Sequence, residues 1–360
     1  MHALHALSPV PAAGLAEGAV ALTPLDMLSV VHAAGADTIP FLQGQLTQDV
    51  KSLGAHQARL AGYCTAKGRL LASGVVWMDN ARTEPQAADG GCYLMVSSDL
   101  AAAFQKRLSM FVLRAKVKLA AAPLKVVGVT ARQGGIAALN AAFGDLPRGA
   151  WDRVDLPSGT WIAAPAAAES ADGVHARWWW VGTEDTVAAS IGMLGATALR
   201  ADASAWQADD IAAGLPWIIA ATQDVFVPQT VNLELVGGVS FTKGCYPGQE
   251  VVARSHYLGK LKRRMFRATA QAADVQAKAM QTAALPGTDI FHSADPAQPC
   301  GRVVNAALSA QPGDTAPSQV AVLFESTFVS MDSGTVHLGA ADGPVLTVLP
   351  LPYPLADKGA

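Results

Sequence analysis

The feature that most constrains the fold is a change of pattern at about residue 260. Before this point, apolar segments with the alternation of strands are interspersed with segments of helical spacing. After it, short strand-like segments are separated by turns rich in glycine, proline and aspartate, and few helical periods occur. We therefore predict an α/β region followed by a small antiparallel barrel or sandwich.

The α/β region divides near Ala115. Its first part contains a strand from Met27 to Ala34 and two further strands joined at Lys67-Gly68, which is typical of a β-hairpin. Its second part runs strand, helix, two strands, helix, the order of a split β-α-β layer in ferredoxin-like domains. The predicted domains are an α/β region over 24–260, with a second unit at about 115–200 inserted within it, and a C-terminal barrel over 261–355.

Composition and charge narrow the class of protein. Of the 360 residues, 51% are hydrophobic and 15% are charged, which is typical of a folded protein rather than a disordered chain. The net charge is −3, so no overall basic field attracts nucleic acid. We therefore do not expect direct binding to tRNA, which would need a local basic patch.

The cysteines indicate a reducing compartment and no preassembled metal site. Cys64, Cys92, Cys245 and Cys300 lie far apart, and no Cys/His pair has zinc-site spacing. The first 22 residues lack lysine and arginine and are interrupted by prolines, unlike a secretory signal or a transit peptide. No apolar run has the length of a membrane span. We expect a cytoplasmic protein with reduced thiols and no membrane partner.

The segment from Phe241 to Glu250 brings a thiol, an amine, carboxamide and carboxylate groups and two glycines together within ten residues. The apolar residues from Gly238 to Phe241 predict the end of a strand, and Pro247 suits the first position of a helix. Cys245 is then predicted at a strand-to-helix turn, where free backbone N–H groups and nearby Lys243 make a thiol reactive. The structural alternative is a plain turn with a small core cysteine.

Three segments in this order and spacing resemble the YgfZ family of folate-binding proteins. They are FLQGQLTQDV at 41–50, VPQTVNL at 227–233 and KGCYPGQE at 243–250. The ending from Leu349 to Tyr353 also resembles the C-terminus of that family. The resemblance extends over about residues 27–355, and the last octet is far more specific than a lone glycine motif.

The resemblance implies an α+β fold like that of the glycine-cleavage T-protein. Such a fold has two interwoven α/β units of ferredoxin-like character and a C-terminal antiparallel β-barrel. These parts surround a central channel for tetrahydrofolate. The pattern of predicted segments agrees in type with this architecture.

The resemblance also implies a function in the assembly or repair of iron–sulfur clusters, supporting enzymes that include radical tRNA-modifying enzymes. The alternative is a folate-dependent aminomethyltransferase. T-proteins carry an acidic pair on the strand after the Lys67-Gly68 turn, where this chain has Ala72 and Ser73. They also carry an Arg-x-Glu-Ala-Gly helix end, where this chain has Asp210 to Gly214 without the arginine or the glutamate. We therefore do not expect an active aminomethyltransferase.

The expected cofactor is tetrahydrofolate or another reduced folate, held by polar groups around an apolar slot. Amide side chains offer a donor and an acceptor to the pterin edge, and a carboxylate accepts from its amino group. Lys243, Arg254 or the basic run at 260–264 meets the anionic glutamate tail, unless that run is a solvated strand edge. The predicted cofactor-binding residues are Gln43, Gln45, Gln229, Asn232, Tyr246, Gln249, Glu250 and Arg254.

Glu250 has a structural alternative as a carboxylate that only stabilises the start of a helix. Cys245 and Lys243 are the predicted catalytic residues. Cys245 can serve as a transient cluster ligand, a redox thiol or a nucleophile, and the motif does not choose among them. A lone cysteine cannot hold a cluster unaided, so the expected partners are iron–sulfur client proteins or assembly factors. An RNA-binding module acting on tRNA is a third reading, which the net charge disfavours.

Overall fold

The computed structural model describes residues 2–10, 14–80, 91–166, 176–257, 261–278, 280–309 and 318–355. The strands are β1 (Val20–Pro24), β2 (Leu28–Ala34), β3 (Ala58–Cys64), β4 (Leu70–Asp79), β5 (Gly91–Ser97), β6 (Lys118–Ala121), β7 (Lys125–Ala131), β8 (Arg153–Leu156), β9 (Gly159–Ala163), β10 (Ala176–Gly182), β11 (Ala198–Arg200), β12 (Arg263–Gln271), β13 (Asp289–His292), β14 (Asp295–Ser309), β15 (Gln319–Thr327), β16 (Val336–Leu338) and β17 (Val345–Leu349). The α-helices are α1 (His2–His5), α2 (Thr38–Gln43), α3 (Ser98–Ser109), α4 (Gln133–Phe143), α5 (Glu184–Leu194), α6 (Ala203–Ala212), α7 (Gln249–Tyr257) and α8 (Ala272–Ala277).

The first sheet has the strand order β3-β4-β5-β2-β6. Its β3–β4 hairpin turns where the sequence predicts, at Lys67-Gly68, and Gly68 has a φ of 73°. The Thr65 N–H donates to the Arg69 carbonyl at 2.8 Å, and the Gly68 N–H donates to the Thr65 carbonyl at 2.9 Å. The hairpin prediction is confirmed, because a glycine at positive φ is a local signal that needs no tertiary context.

The second sheet has the order β11-β1-β7-β10-β9-β8 and contains the N-terminal strand. β1 pairs antiparallel with β7 and parallel with β11, whereas β6 pairs with β2 in the first sheet. Each sheet therefore includes a strand from the other part of the chain, and the two α/β units are interwoven. The helices α4 and α5 lie in the stretch between β7 and β11 and pack against each other.

Three consecutive tryptophans of β10 are buried in two different cores. Trp178 and Trp180 belong to the core of the second sheet, with α4 and α5. Trp179 faces the other way and lies in the large core that it shares with the first sheet. Its ring centroid lies 5.7 Å from that of Trp151, 6.1 Å from Trp206 and 6.3 Å from Trp217. These rings are packing groups, as the alternation of a strand predicts.

The C-terminal strands form a closed barrel in the order β12-β15-β14-β13-β16-β17, and pairing of β12 with β17 completes it. Its interior is apolar and includes the fully buried Phe324 and Val322. The sequence predicts this barrel but misses β13, which is only four residues long. The domain bounds 24–260, 115–200 and 261–355 stay a prediction.

Two local predictions are wrong. The helical spacing of Phe41, Leu42, Leu46 and Val50 predicts a single helix after Asp37. In the structure α2 ends at Gln43, because the Gln43 side chain accepts from the Val50 and Lys51 N–H groups. The segment from Gly238 to Phe241 is not a strand. Its backbone makes isolated contacts instead, such as the Ser240 N–H donating to the Thr47 carbonyl at 2.9 Å.

No α-helix in the described ranges combines the length and the apolar character that a membrane crossing would require.

Replacing Trp179 by alanine should lower the free energy of unfolding by about 4 kcal/mol, because a fully buried indole is removed between three other indoles. Chemical denaturation followed by circular dichroism measures the change. Met193→Ala, at an exposed position of α5, is the control and should change the value by less than about 0.5 kcal/mol. Equal effects of the two variants would contradict the packing described for β10.

Candidate functional site

Cys245 is exposed on a loop that leads into α7. Its surroundings differ from the predicted strand-to-helix turn, because no strand precedes it and α7 begins four residues later, at Gln249. Pro247 lies in the turn before the helix rather than at its first position. Cys64 and Cys92 are buried, and burial raises the pKa of each of these thiols to about 12. Cys300 is half-buried, so Cys245 is the most exposed of the four thiols and the one most open to reagents and partners.

The thiol loop, residues 238–248, rests on the turn of the β3–β4 hairpin. Gly248 has a φ of 81°, and a Cβ on this residue would lie 2.4 Å from the Thr65 carbonyl oxygen and 2.6 Å from Gly68. No other residue fits so close to two segments of backbone. On the other side of the turn, a Cβ on Gly68 would lie 2.9 Å from the Val251 side chain. Gly68 and Gly248 therefore both need to lack a side chain for the thiol loop and the hairpin turn to pack this closely.

Lys243 anchors the thiol loop from inside the protein. Its side chain is buried, and the Nζ donates to the carbonyl oxygens of Gln43 and Leu46, each at 2.5 Å. These carbonyls lie at the end of α2 and just beyond it, where backbone acceptors lack helical partners. Burial lowers the pKa of Lys243 to about 8, and the nearby Asp49 carboxylate opposes the shift.

Tyr246 is the second buried side chain that holds the thiol loop in place. Its side chain is buried, its ring centroid lies 5.0 Å from the Lys243 Nζ, and burial raises the pKa of its hydroxyl. The motif thus alternates in direction, with Lys243 and Tyr246 inward and Cys245 outward. This arrangement makes Lys243 a structural anchor, while its predicted catalytic role stays a prediction.

Gln43 makes its hydrogen bonds within the protein. Its Nε2 donates to Asp49 Oδ1 at 2.9 Å, and its Oε1 accepts from the backbone of Val50 and Lys51. Gln45 differs, because its buried Oε1 has no hydrogen-bond partner among the described residues.

Gln229 and Asn232 are fully buried and join the segment at 228–238 to its neighbours. The Gln229 Nε2 donates to the Val252 carbonyl of α7 at 2.6 Å. The Asn232 amide bonds to both backbone groups of Met265, donating at 2.8 Å and accepting at 3.3 Å. Asn232 also has a φ of 56°, a conformation that asparagine tolerates better than most residues. Both amides therefore have structural roles in the described chain, and their contact with folate stays a prediction.

The remaining predicted residues lie on or beside α7. Gln249 is half-buried, and Glu250 and Arg254 are exposed. The basic run at 260–264 begins outside the described residues. It is not simply a solvated edge, because Arg264 is buried and pairs with Glu234.

The structure contains a cavity of about 490 Å³ between the first sheet, α6 and the barrel. Its lining is mostly apolar and includes Trp206 and Trp217. None of the ten predicted site residues lines it. The exposed thiol and the cavity lined by the two tryptophans are therefore separate sites. The polar residues that line it are Ser97, Ser98, Asp99, Ser204, Gln207, Asp210, Thr282 and Asn305.

Asp210 is the buried carboxylate of this cavity. Its Oδ1 accepts from Arg177 Nη2 at 2.7 Å, and its Oδ2 accepts from the Trp217 indole N–H at 3.0 Å. Burial raises the pKa of Asp210, although the Arg177 guanidinium opposes the shift. The guanidinium also lies 4.0 Å from the centre of the Trp206 ring, whose own N–H has no partner among the described residues. The cavity wall thus combines two indoles with a paired carboxylate.

A second carboxylate and an amide hold other parts of the wall. Asp99 accepts from the Ser97 hydroxyl at 2.6 Å and from the Ala220 N–H at 2.9 Å. Asn305 bonds to both backbone groups of Trp217, at 2.9 and 2.8 Å. The barrel strand β14 therefore holds the indole of the α/β region in place.

Ala72 and Ser73 of β4 are both buried, and neither of them lines the cavity. The Ser73 hydroxyl accepts from the Ile218 N–H at 2.8 Å and donates to the Pro216 carbonyl at 3.2 Å. These bonds connect β4 to the strand-like segment that carries Trp217. The described residues contain no group of three or more His, Cys, Asp or Glu side chains placed to hold a metal ion.

Comparisons with known proteins show which family the chain belongs to. No family model matches the chain. A tRNA-modifying protein YgfZ of Edwardsiella ictaluri is 34% identical over 273 residues, covering 72% of this chain and 74% of the relative. A protein of the same name from Yersinia pseudotuberculosis is 32% identical over 259 residues, with 72% of each chain covered. The chain belongs to the YgfZ family.

The fold of this YgfZ-family chain is that of a T-protein. A crystal structure of glycine cleavage system aminomethyltransferase T from Bartonella henselae superposes with a TM-score of 0.67 and covers 93% of this chain and 86% of that one. The sequence identity is 13%, so the similarity concerns the fold alone. The predicted fold class is confirmed.

Sequence reasoning missed the cavity residues of this family member. The sequence pattern predicts only a short helix over 206–213 for the segment that carries Trp206 and Asp210, with Trp217 just beyond it, and Asn305 lies in a barrel strand. The sequence does contain one signal for this site. Asp209 and Asp210 lie between Trp206 and Trp217, and burying a carboxylate among apolar rings costs free energy unless it is paired, so such a cluster indicates a function. Only the folded chain brings this segment together with Asp99 and β14.

The buried ammonium of Lys243 should make stability depend on pH. Its pKa is about 8 in the folded state against 10.5 in the unfolded state, so the unfolded chain binds more protons between these values. The free energy of unfolding should therefore rise with pH, by about 2 kcal/mol between about pH 8 and pH 10. Urea denaturation of the native protein and of Lys243→Met isolates this contribution, because the variant lacks the group. Parallel pH profiles for the two proteins would contradict the buried position of Lys243.

Proposed function

We propose that this chain binds a reduced folate in the 490 Å³ cavity and presents Cys245 as a reactive thiol in the maintenance of iron–sulfur proteins. The observation that carries the proposal is the outward Cys245 on a loop anchored by inward Lys243 and Tyr246. The clients would include enzymes that modify tRNA, in keeping with the name of the YgfZ relatives. The protein would act in the cytoplasm on protein partners.

The chemistry of the cavity wall supports a pterin ligand. A pterin is flat, with apolar faces and an edge of donors and acceptors, and it needs an apolar slot with a few polar groups. Trp206 and Trp217 supply the apolar surface. Asp210 and Asp99 supply carboxylates that still have free lone pairs. The residues present therefore fit a folate.

Each side chain has a distinct task in this arrangement. The Arg177 guanidinium keeps Asp210 in place through the bond to its Oδ1, leaving the remaining lone pairs of the carboxylate for an amino group. Asn305 keeps Trp217 in place through its backbone. A bound reduced folate would supply a carrier for one-carbon units or a reductant. The exposed sulfur of Cys245 would meet the client at a separate face.

Aminomethyl transfer is poorly supported by the side chains of β4. T-proteins carry the catalytic carboxylate on this strand, and Ala72 and Ser73 offer none there. Asp210 and Asp99 lie on other parts of the cavity wall, where Arg177 and the Ala220 N–H hold them in place. The Ser73 hydroxyl is already used in two hydrogen bonds with the segment at 216–218. Binding without transfer is therefore the function that we favour.

Titration calorimetry with tetrahydrofolate, under anaerobic and reducing conditions, tests the cavity. Ser204→Trp places an indole at the cavity wall and should weaken binding by about tenfold or more, because it fills the space of the ligand. Cys245→Ser should bind like the native protein. A thermal melt of each variant verifies that it is folded.

Glu250→Ala separates the cavity from the thiol loop as the folate site. If folate lies in the cavity, this variant should change the affinity by less than about twofold, because Glu250 is exposed on α7. Loss of binding in Glu250→Ala with normal binding in Ser204→Trp would place the folate at the thiol loop instead.

The thiol is tested by complementation of cells that lack the native gene. Cys245→Ser should leave the activity of a radical tRNA-methylthiolating enzyme at the level of the uncomplemented cells, because serine is a poor ligand for soft metals and a poor nucleophile. Cys300→Ser, at a half-buried thiol of the barrel, is the matched control and should restore activity. Full restoration by Cys245→Ser would remove the thiol from the proposal.

A further inference from the structure

A compact apolar group lies on the surface between α3 and β6. The side chains of Met110, Phe111 and Leu113 are 68%, 45% and 89% exposed, and we call them the apolar knob. In the described chain, no other stretch of four residues exposes three large hydrophobic side chains. Isolated surface hydrophobics need no explanation, but a cluster of this kind marks an interaction site.

The knob is held on an ordered backbone. The Phe111 N–H donates to the Leu108 carbonyl at 2.9 Å, and the Ala115 N–H donates to the Val112 carbonyl at 2.7 Å. The Lys116 N–H donates to the Asp37 carboxylate at 2.7 Å, which ties the segment to the start of α2. The apolar side chains are therefore presented in fixed positions, and a partner loses little conformational freedom when it binds them.

The backbone conformation of Leu113 is unfavourable for a leucine. Its φ is 42°, in the left-handed region where residues with a Cβ are disfavoured. Its side chain is almost fully exposed, so it contributes nothing to the core. Glycine or asparagine would suit this backbone better, and the leucine therefore points to a role outside the folded chain.

The segment that carries the knob is rich in positive charge. The segment at 106–118 contains no acidic residue, and its five cations are all exposed. Lys106, Arg114 and Lys118 form no ion pair within the described residues, whereas Arg107 interacts with the Tyr63 hydroxyl. In a chain of net charge −3, this is a local field that attracts a partner of negative charge.

We propose that the apolar knob docks into a protein partner whose surface has an apolar depression bordered by aspartate and glutamate. Methionine, phenylalanine and arginine are typical of the centres of protein interfaces. An RNA would need several exposed aromatic rings for its bases, and only Phe111 is present. A membrane would need the long apolar face of an amphipathic helix, which three side chains do not supply.

Photo-cross-linking in cells tests this surface with the full chain. A p-benzoylphenylalanine at Met110 should give a covalent adduct with a protein whose cross-linked peptide is acidic. The same probe at Val329, which is 76% exposed on the barrel, is the control and should give no such adduct. The charge-reversed variant with Lys106→Glu and Arg114→Glu should lose the adduct, because it repels an acidic rim.

Leu113→Asn separates docking from folding. Asparagine accepts the positive φ, so the midpoint of thermal unfolding should stay the same or rise, while the yield of the adduct should fall by about fivefold or more. This result does not depend on folate or on Cys245. The docking site and the proposed function can therefore fail independently of each other.

Four results would overturn the docking site. They are an equal adduct at Val329, an adduct that survives charge reversal, an adduct that survives Leu113→Asn, and a lower unfolding midpoint in Leu113→Asn, which would give the leucine a role in the fold. Binding of the native protein to bulk tRNA or to phosphatidylglycerol vesicles, abolished by Leu113→Asn, would assign the surface to that ligand instead.

Discussion

The buried ammonium of Lys243 is the contact on which the proposed thiol chemistry depends. It connects the thiol loop to the end of α2 through the Gln43 and Leu46 carbonyls. Asp49 is near enough to act on its charge, but no carboxylate of the described residues forms an ion pair with it. A buried cation is costly unless its donors are used, so the loop cannot move away without leaving either the ammonium or the two carbonyls unpaired. The two hydrogen bonds of Lys243 fix the loop in a conformation in which Cys245 faces outward.

The two sites of the proposed function lie apart in the structure, whereas the motif alone predicts a single site. The octet that carries Cys245 builds a rigid outward thiol, resting on the hairpin turn through Gly248 and Gly68. The cavity with Trp206, Asp210 and Trp217 lies where the α/β region meets the barrel, and none of the octet lines it. A T-protein fold without the acids of T-protein chemistry is consistent with a ligand that is held rather than converted. The two sites can then be altered independently.

Sequence reasoning succeeded where the signal is local and failed where distant segments meet. The Lys67-Gly68 turn and the strands beside it were predictable, because glycine chemistry and alternation act over a few residues. The end of α2 was not, because the Gln43 side chain replaces the next helical turn with its own hydrogen bonds. The cavity was missed for the same reason, since Asp99, Trp217 and Asn305 meet only through the tertiary fold. The family resemblance implied a central channel for folate but did not indicate which residues line the observed cavity.

A crystal structure of the anaerobic complex with tetrahydrofolate would decide where the folate binds. We expect the pterin in the cavity against Trp206 and Trp217, with its amino group near Asp210 or Asp99. We also expect the Lys243 anchor to be unchanged and Cys245 to make no contact with the ligand. A pterin bound at the thiol loop, against Cys245 and Glu250 and away from the cavity, would contradict this expectation.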